Sequence, residues 1–391
     1  LSSELSQSLF PFDKWVPRSS EWMKLELDAK QRLVELPQNK RTATRMELAR
    51  FYLMTGRPHE AASLLTLCQY YEPYLSDNLG FQALIGVCHF AAGEPLKAYK
   101  IFRQKGFNHD PEIELWRTAS QALINPRSVS PKMLKKNYKA LKFVQNYPSF
   151  IKSRMILALA QASLHHRKPD HKLLKLLEDK NLKKSQMQQK YLIQAQFYLL
   201  QNAKDKARRT LKKISKDINS EFGAKAQFLL LHLQRKIRKL EKRNEITELE
   251  KLRYRWTGDL LEFNILKRLG YLYITQKDYF EGLQAIQQAI TRFPEASKKI
   301  NLKEFARQAF FYAFQEKAKG FPLSRLALYK TYQEFIPQDK RKELIRIHIL
   351  EELIEMDLLE QAADLIEEKI QENPKNSFEK AKFENTLAKI Y

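Results

Sequence analysis

The stretch ILKRLGYLYITQKDYFEGLQAIQQAITRFPEA, Ile265 to Ala296, decides the fold of this chain. Apolar residues recur at helical spacing on both sides of a central polar turn, and Pro294 ends the second run. A helix of about 14 residues cannot bury its apolar stripe alone. Two such helices must therefore pack antiparallel and offer their remaining apolar edge to a further pair. The stretch predicts a two-helix unit that needs neighbours of the same kind.

Four other segments repeat this pattern of small and apolar residues: Arg45 to Pro73, Ala83 to Phe102, Gln194 to Ile214, and His348 to Pro374. In the first of them, Gly56 stands where the turn between two helices requires a positive φ, and Gly93 is part of the matching pattern in the second. In the opening stretch Gly282 stands where the repeat usually has alanine, so we expect a close approach of the two helices there. The pattern resembles the tetratricopeptide repeat, whose period is about 34 residues.

The segments between these copies fit degenerate helix pairs, at 131–165 and 302–335. The chain is therefore predicted to be all-α, a right-handed superhelical solenoid of about nine antiparallel, tetratricopeptide-like helix pairs. Glu221 to Arg255 is interpreted as one long helix or as two helices with a poorly marked join. After it, Asp259 and Glu262 predict a capping box, and we expect Trp256 to seal the junction beside it.

A more specific resemblance is carried by four phrases: LARFYLMTGRPHEAASLL, ALIGVCHFAAGEPLKAYKIF, DPEIELWRTASQA and LEKLRYRWTGDLLEFNILKRLGYLY. Together they resemble large tetratricopeptide proteins of alphaproteobacteria whose function is unassigned. The resemblance implies a membrane-anchored region before the array, and hence a periplasmic or membrane-associated location within a longer precursor; a cytoplasmic location is the alternative. We also expect the chain to be part of a longer protein, because its first residue is Leu1 and not methionine, and because a helical pattern continues up to its last residue, Tyr391.

The charge of the chain is concentrated in its middle third. Of the formal net charge of +24, residues 131–260 contribute most, with 32 Lys and Arg against 11 Asp and Glu. The two flanking segments are almost neutral. We therefore divide the chain into N-terminal repeats at 1–130, a basic and irregular middle segment at 131–260, and C-terminal repeats at 261–391.

The basic residues of the middle segment recur at spacings that leave an apolar helical stripe free. They predict either a polyanion-binding face, for nucleic acid or an anionic membrane surface, or a solvated face without a ligand. The residues of this predicted basic face are Lys132, Lys135, Lys136, Lys139, Lys204, Lys206, Arg208, Arg209, Lys212, Lys213, Arg235, Lys236, Arg238 and Lys239.

Motifs for catalysis are missing from the sequence. It contains no phosphate-binding loop, no dinucleotide glycine pattern, no HExxH helix and no Gly-x-Ser-x-Gly elbow. His165, His166, Asp170 and His171 are metal-binding residue types, but neighbouring cations and Pro169 oppose a site there. We therefore predict a protein that is not an enzyme and has no cofactor, no metal site and no small-molecule substrate.

The preferred function is a protein-interaction scaffold. In helical repeats of this kind the first helix of each pair lines a surface on which an extended peptide or a helix of a partner can lie. An alternative is that the N-terminal helix, Glu21 to Leu36, covers this surface, and a third hypothesis is a structural spacer. The predicted partner groove consists of Met46, Arg50, Leu53, Met54, Ala83, Val87, Phe90, Lys267, Tyr271 and Thr275.

Overall fold

The structure is a computed structural model that describes residues 8–15, 22–217, 219–236, 241–315 and 322–372. The described residues form α-helices and short 3-10 helices, with no β-strand among them. The all-α prediction is therefore confirmed. Within the same ranges, no helix is long and apolar enough to cross a membrane.

The chain forms two compact units, and the first of them is Leu1–Leu230. Its large core includes Leu53, Phe90, Phe102 and Trp116. The helices that begin in this unit are α1 Phe12–Trp15, α2 Trp22–Glu35, α3 Arg41–Met54, α4 Pro58–Tyr71, α5 Leu79–Ala92, α6 Pro95–Phe102, α7 Pro111–Ile124, α8 Pro131–Lys136, α9 Ser149–His165, α10 His171–Lys175, α11 Lys184–Leu200, α12 Lys204–Ile214 and α13 Glu221–Lys236, the last of which continues into the second unit.

The second unit is Leu231–Tyr391. Its core combines leucine and isoleucine with aromatic residues and alanine, among them Phe310, Phe314, Phe335 and Ala306. Its helices are α14 Lys242–Arg255, α15 Leu260–Thr275, α16 Tyr279–Arg292, α17 Pro294–Lys299, α18 Leu302–Gln315, α19 Pro322–Thr331, α20 Arg341–Glu355 and α21 Leu359–Glu372.

The five repeat copies predicted from the sequence are helix pairs in the structure. They are α3 with α4, α5 with α6, α11 with α12, α15 with α16, and α20 with α21, and the two helices of each pair pack against one another. Gly56 and Gly93 have φ angles of 81° and 85° in the turns of the first two pairs. Such angles favour glycine, so the positive φ predicted for Gly56 is confirmed, and Gly93 adopts the same conformation in the second pair. Pro374, in the last copy, lies outside the described residues.

The predicted close approach at Gly282 is also confirmed. A Cβ atom on Gly282 would lie 2.7 Å from Cγ1 of Ile274 and 3.2 Å from the carbonyl oxygen of Gly270. A Cβ atom on Gly270 would in turn lie 2.5 Å from Cγ1 of Ile286. Helices α15 and α16 therefore meet through two opposed glycines, where their backbones come closer than alanine would allow.

The region Glu221 to Arg255 contains two helices, α13 and α14, as the second of the two interpretations predicted. Asp259 then caps α15, because its carboxylate accepts hydrogen bonds from the N–H groups of Leu261 and Glu262 at 2.8 and 3.3 Å. Trp256 donates its indole N–H to the same carboxylate at 2.8 Å. In the predicted capping box, the backbone N–H of Asp259 would donate to the carboxylate of Glu262. In the structure the N–H of Gly258, one residue earlier, makes this hydrogen bond at 2.5 Å.

Short helices interrupt the repeat pattern between α7 and α11. Here α8 spans six residues, a ten-residue 3-10 helix follows at Asn137–Asn146, and α10 spans five residues. The division of the chain at residues 130 and 260 is drawn from charge composition, and it stays a prediction. The boundary between the two compact units lies elsewhere in the sequence, within α13.

Candidate peptide-binding faces

Four residues of the predicted groove are buried in unit 1. Leu53, Val87 and Phe90 have 0% exposed surface, and Ala83 has 2%. Met46 and Met54 are partly buried against the same core. The prediction of an open groove at these positions is therefore corrected. The physical reason is that α4 and α6 pack against α5, while α2 and a segment that precedes the repeats pack against α3.

The segment that precedes the repeats is Ser8–Trp15, with the sequence SLFPFDKW, and it packs on α3 and α7; we call it the FPF segment. Phe10 packs its ring edge-on against Trp116 of α7, with centroids 5.6 Å apart, and Trp116 in turn contacts Phe90 at 5.1 Å. At the other end of the segment, the guanidinium of Arg50 in α3 lies 5.3 Å from the ring of Trp15. The segment therefore reaches from α7 to α3, over part of the surface predicted to receive a partner.

A buried carboxylate holds the start of the FPF segment. Glu112, which is 2% exposed, accepts a hydrogen bond from the backbone N–H of Leu9 at 2.7 Å and from the hydroxyl of Ser8 at 2.8 Å. The hydroxyl of Tyr147 also donates to Glu112 and accepts from the indole N–H of Trp116 at 3.0 Å. Burial raises the pKa of Glu112, while the hydrogen bonds from Tyr147, Leu9 and Ser8 lower it.

Helix α2 adds a second cover to unit 1, as the alternative hypothesis allowed. It packs on α3, and its residue Glu26 receives hydrogen bonds from Arg57 at 3.1 and 2.7 Å and from the hydroxyl of Tyr52 at 3.0 Å. The side-chain hydrogen bonds of Arg57 and Lys30 lower the pKa of Glu26 to about 2. The cover of unit 1 is therefore fastened by ion pairs as well as by apolar contacts.

The predicted groove residues of unit 2 have a different environment. Tyr271 is 47% exposed, Thr275 is exposed, and Lys267 is half-buried on the same face of α15. The ring of Tyr271 stacks on Phe305 of α18, with centroids 6.1 Å apart. The neighbouring Arg268 lies 5.5 Å from the Tyr271 ring. Unit 2 therefore keeps these three residues accessible.

Helix α18 extends this accessible surface. Tyr312, seven residues after Phe305 and hence on the same side of the helix, is 53% exposed. We call Lys267, Tyr271, Thr275, Phe305 and Tyr312 the unit 2 face. In the next first helix, α20, Leu344 and Ile347 are 47% and 44% exposed.

The predicted basic face divides into separate clusters on different helices. Lys132, Lys135, Lys136 and Lys139 are exposed on α8 and the following 3-10 helix. Arg235 is exposed near the end of α13, the side chain of Lys236 is not described, and Arg238 and Lys239 lie outside the described residues. The cluster on α12 is the densest, with five exposed cations and a half-buried Arg208: Lys204, Lys206, Arg208, Arg209, Lys212 and Lys213.

The α12 cluster has little neutralisation by carboxylates. Among the described residues, the ion pair of this cluster is the long one between Arg208 and Asp205, at 3.9 Å. The amino group of Lys213 lies 5.3 Å from the ring of Tyr191. This ring borders a cleft of about 480 Å³ between α10 and α11, which is also lined by Lys175 and Lys190.

The histidine-rich stretch serves local structure. His166 bonds the carbonyl oxygen of Val129 at 2.5 Å, and His171 bonds the side chain of Gln201 at 3.1 Å. Asp170 accepts from the N–H of Lys172 at 3.0 Å at the start of α10. Across the ranges that the structure describes, no group of three or more His, Cys, Asp or Glu is placed to hold a metal ion.

Sequence reasoning missed the FPF segment and Glu112 altogether. A signal was present, because the segment places three aromatic residues and a proline within six positions, Phe10 to Trp15, ahead of any repeat. Glu112 gave no signal, since a carboxylate in the first turn of a helix is ordinarily explained by the helix dipole. Its burial depends on contacts with residues more than 100 positions away.

Comparison with known proteins does not identify the chain. No protein-family model matches it, and no curated protein does. It is similar to a solved structure of a monomeric mutant of IFIT1 with Gppp-AAAA, at 13% identity and a TM-score of 0.37, covering 97% of this chain and 96% of that one. It is also similar to the APC/C hetero-tetramer Cut9-Hcn1, at 11% identity and a TM-score of 0.27, covering 95% and 93%. At TM-scores this low the likeness carries no argument, so the fold rests on the chain's own helix pairs.

Proposed function

We propose that the protein is a non-enzymatic interaction scaffold that binds a partner peptide or helix on the unit 2 face. The observation that supports this most directly is the exposure of Tyr271 and Tyr312 on first helices of unit 2, at 47% and 53%. Aromatic side chains of this size are strong anchors for peptide side chains, because they bury a large area at a low cost in conformational entropy.

The chemistry of the face indicates the kind of partner. The Tyr271–Phe305 stack joins α15 to α18, so an apolar side chain can contact both helices at once. Lys267 lies one helical turn before Tyr271, and its amino group donates a hydrogen bond to the amide oxygen of Asn264 at 3.3 Å, a neutral partner. A peptide with apolar anchors and a carboxylate placed for Lys267 therefore fits this face.

Selection of peptides from a random displayed library tests the proposal. Peptides enriched on the full chain should bind about 10-fold or more weakly once Tyr271→Asp and Tyr312→Asp are combined, since each change puts a charge where an anchor packs. The matched control is Tyr254→Asp, at a tyrosine of unit 2 that is 84% exposed and lies on α14. Equal affinity for the double variant and the control would contradict the proposal.

A second candidate is polyanion binding through the α12 cluster, favoured by its five exposed cations with few carboxylates nearby. Replacing Arg208, Arg209, Lys212 and Lys213 by glutamate should abolish binding of single-stranded nucleic acid or anionic vesicles, and should leave peptide binding on the unit 2 face unchanged. If wild-type affinity for a polyanion does not fall as salt is raised, the cluster is a solvated surface.

From the resemblance of its sequence alone, we further propose that the array belongs to a larger bacterial protein. A periplasmic or membrane-associated location would then present the unit 2 face to extracytoplasmic partners. Fractionation of the native organism with an antibody against the array tests this location directly, and recovery in the cytoplasm would favour the alternative.

A further inference from the structure

The contacts of the FPF segment resemble those of a bound ligand, and we propose that it is one. The proposal is that the surface formed by Arg50, Phe90, Glu112, Trp116 and Tyr147, which we call the unit 1 groove, is a peptide-recognition site. Ser8–Trp15 occupies it in cis, and the site also accepts an aromatic–proline–aromatic segment of another polypeptide that adopts the same turn and short helix. This inference concerns unit 1 alone and does not rest on the proposed function of unit 2.

The groove recognises the backbone of its ligand through Glu112. The carboxylate accepts the N–H of Leu9 at 2.7 Å, a contact that any residue except proline could make at that position. Leu9 itself is 47% exposed, so its side chain contributes little to the contact. A buried carboxylate that accepts a backbone N–H fixes the register of the docked segment and leaves specificity to the neighbouring side chains.

Specificity is supplied by aromatic contacts on either side of Pro11. Phe10 and Phe12 are 3% and 1% exposed, although they belong to a segment outside the helix pairs. Phe10 meets Trp116 at 5.6 Å, and Phe12 meets the ring of Tyr147 at 5.1 Å. Pro11 restricts the backbone between them, which lowers the entropy lost when such a segment docks.

The groove is organised by its own residues. Trp116 donates to Tyr147, and Tyr147 donates to Glu112, so the carboxylate is oriented by a chain of hydrogen bonds that does not involve the segment. The ring of Phe90 packs edge-on against the ring of Trp116, with centroids 5.1 Å apart, and so helps to fix the position of the indole. A site oriented in this way needs little rearrangement to exchange one segment for another of the same chemistry.

The chain's own segment competes with a free peptide for the unit 1 groove, and this competition determines the affinity expected for the peptide. A tethered ligand on a short linker has an effective concentration on the order of millimolar. A free peptide must therefore bind the wild-type chain about 10- to 100-fold more weakly than a chain whose own segment has lost its aromatic anchors.

Fluorescence anisotropy with the labelled peptide SLFPFDKW tests this. The full chain carrying Phe10→Ser and Phe12→Ser should bind the peptide with a Kd of about 10–100 μM, and the wild-type chain should bind it about 10- to 100-fold more weakly. A peptide methylated on the amide nitrogen of its Leu9 position should lose about 10-fold or more, because it cannot donate to Glu112. The change Tyr70→Ser, at a tyrosine of α4 that is 77% exposed, is the matched control for loss of an aromatic ring.

Two results would overturn the proposal: a folded Phe10→Ser, Phe12→Ser chain that does not bind the peptide, or equal binding of the methylated and the unmethylated peptide. If the Phe10→Ser, Phe12→Ser chain fails to fold, hydrogen exchange of the wild-type chain tests whether the segment can leave the groove. The amide of Leu9 should exchange through a local opening, well before the amides of α7. Exchange of Leu9 only together with α7 would show that the segment is an inseparable part of the core.

Discussion

The two units use the same kind of helix pair but differ in what lies on their first helices. In unit 1 the predicted groove residues Val87 and Phe90 are fully buried, and the FPF segment and α2 cover first helices of this unit. In unit 2 Tyr271 and Thr275 are exposed on α15. A repeat period thus identifies which helix faces can bind a peptide, but not which of them are already occupied.

The largest expected difference between the units is in the energetics of their aromatic residues. Trp116→Ala removes a fully buried ring that contacts Phe10, Phe90, Phe102 and Tyr147, so it should lower the free energy of unfolding by about 3–5 kcal/mol. Tyr271→Ala on the unit 2 face should cost about 1 kcal/mol or less. Urea denaturation measures both, and equal losses would remove the distinction between a covered and an open face.

Sequence reasoning found what depends on local pattern. Five helix pairs, the turn glycines Gly56 and Gly93, the close contact at Gly282 and the cap at Asp259 all follow from residue type and spacing within one unit. The cover on unit 1 depends on contacts between residues far apart in the chain, such as Leu9 with Glu112, and spacing contains no information on them.

The next largest effect concerns the glycine contact of unit 2. Gly282→Ala should destabilise the chain by about 1–2 kcal/mol, because the added Cβ would lie 2.7 Å from Ile274 and this overpacking exceeds the gain in helix propensity. The matched change in unit 1 is Gly80→Ala, where the nearest side-chain atom is 3.4 Å away and the effect should be within about 0.5 kcal/mol of zero. Thermal or urea unfolding distinguishes them, and a neutral Gly282→Ala would contradict the close approach.

A smaller effect measures how firmly α2 covers unit 1. The pKa of Glu26 falls from 4.5 to about 2 in the folded chain, so folding favours its charged form. Its contribution is complete above pH about 4.5 and is lost as the pH falls toward 2. Because Arg57 and Lys30 are partly exposed, we expect about 0.5–1 kcal/mol. Glu26→Gln should be less stable than wild type at pH 5, and the gap should narrow at pH 3; a constant gap would assign the effect to packing.

The smallest effect concerns the positive charge of the middle segment. Exposed cations such as Lys204, Lys206 and Arg209 repel one another within a Debye length of about 10 Å at 0.1 M salt. Added neutral salt or a polyanion should therefore raise the melting temperature by about 1–3 °C. A melting temperature that stays flat from low to high salt would show that this charge is already dispersed, and would weaken the polyanion proposal.

The most direct test of the difference between a covered face in unit 1 and an open face in unit 2 is the accessibility of one residue on each face. Val87→Cys places a thiol on the covered face of unit 1, and Thr275→Cys places one on the open face of unit 2. The native Cys68 and Cys88 are buried, and burial raises their pKa to about 11 and about 12. Both therefore react slowly with a thiol reagent and contribute little background labelling. We predict that a thiol reagent labels Thr275→Cys on the order of 100-fold faster than Val87→Cys under native conditions. Equal labelling rates at the two positions would contradict the account.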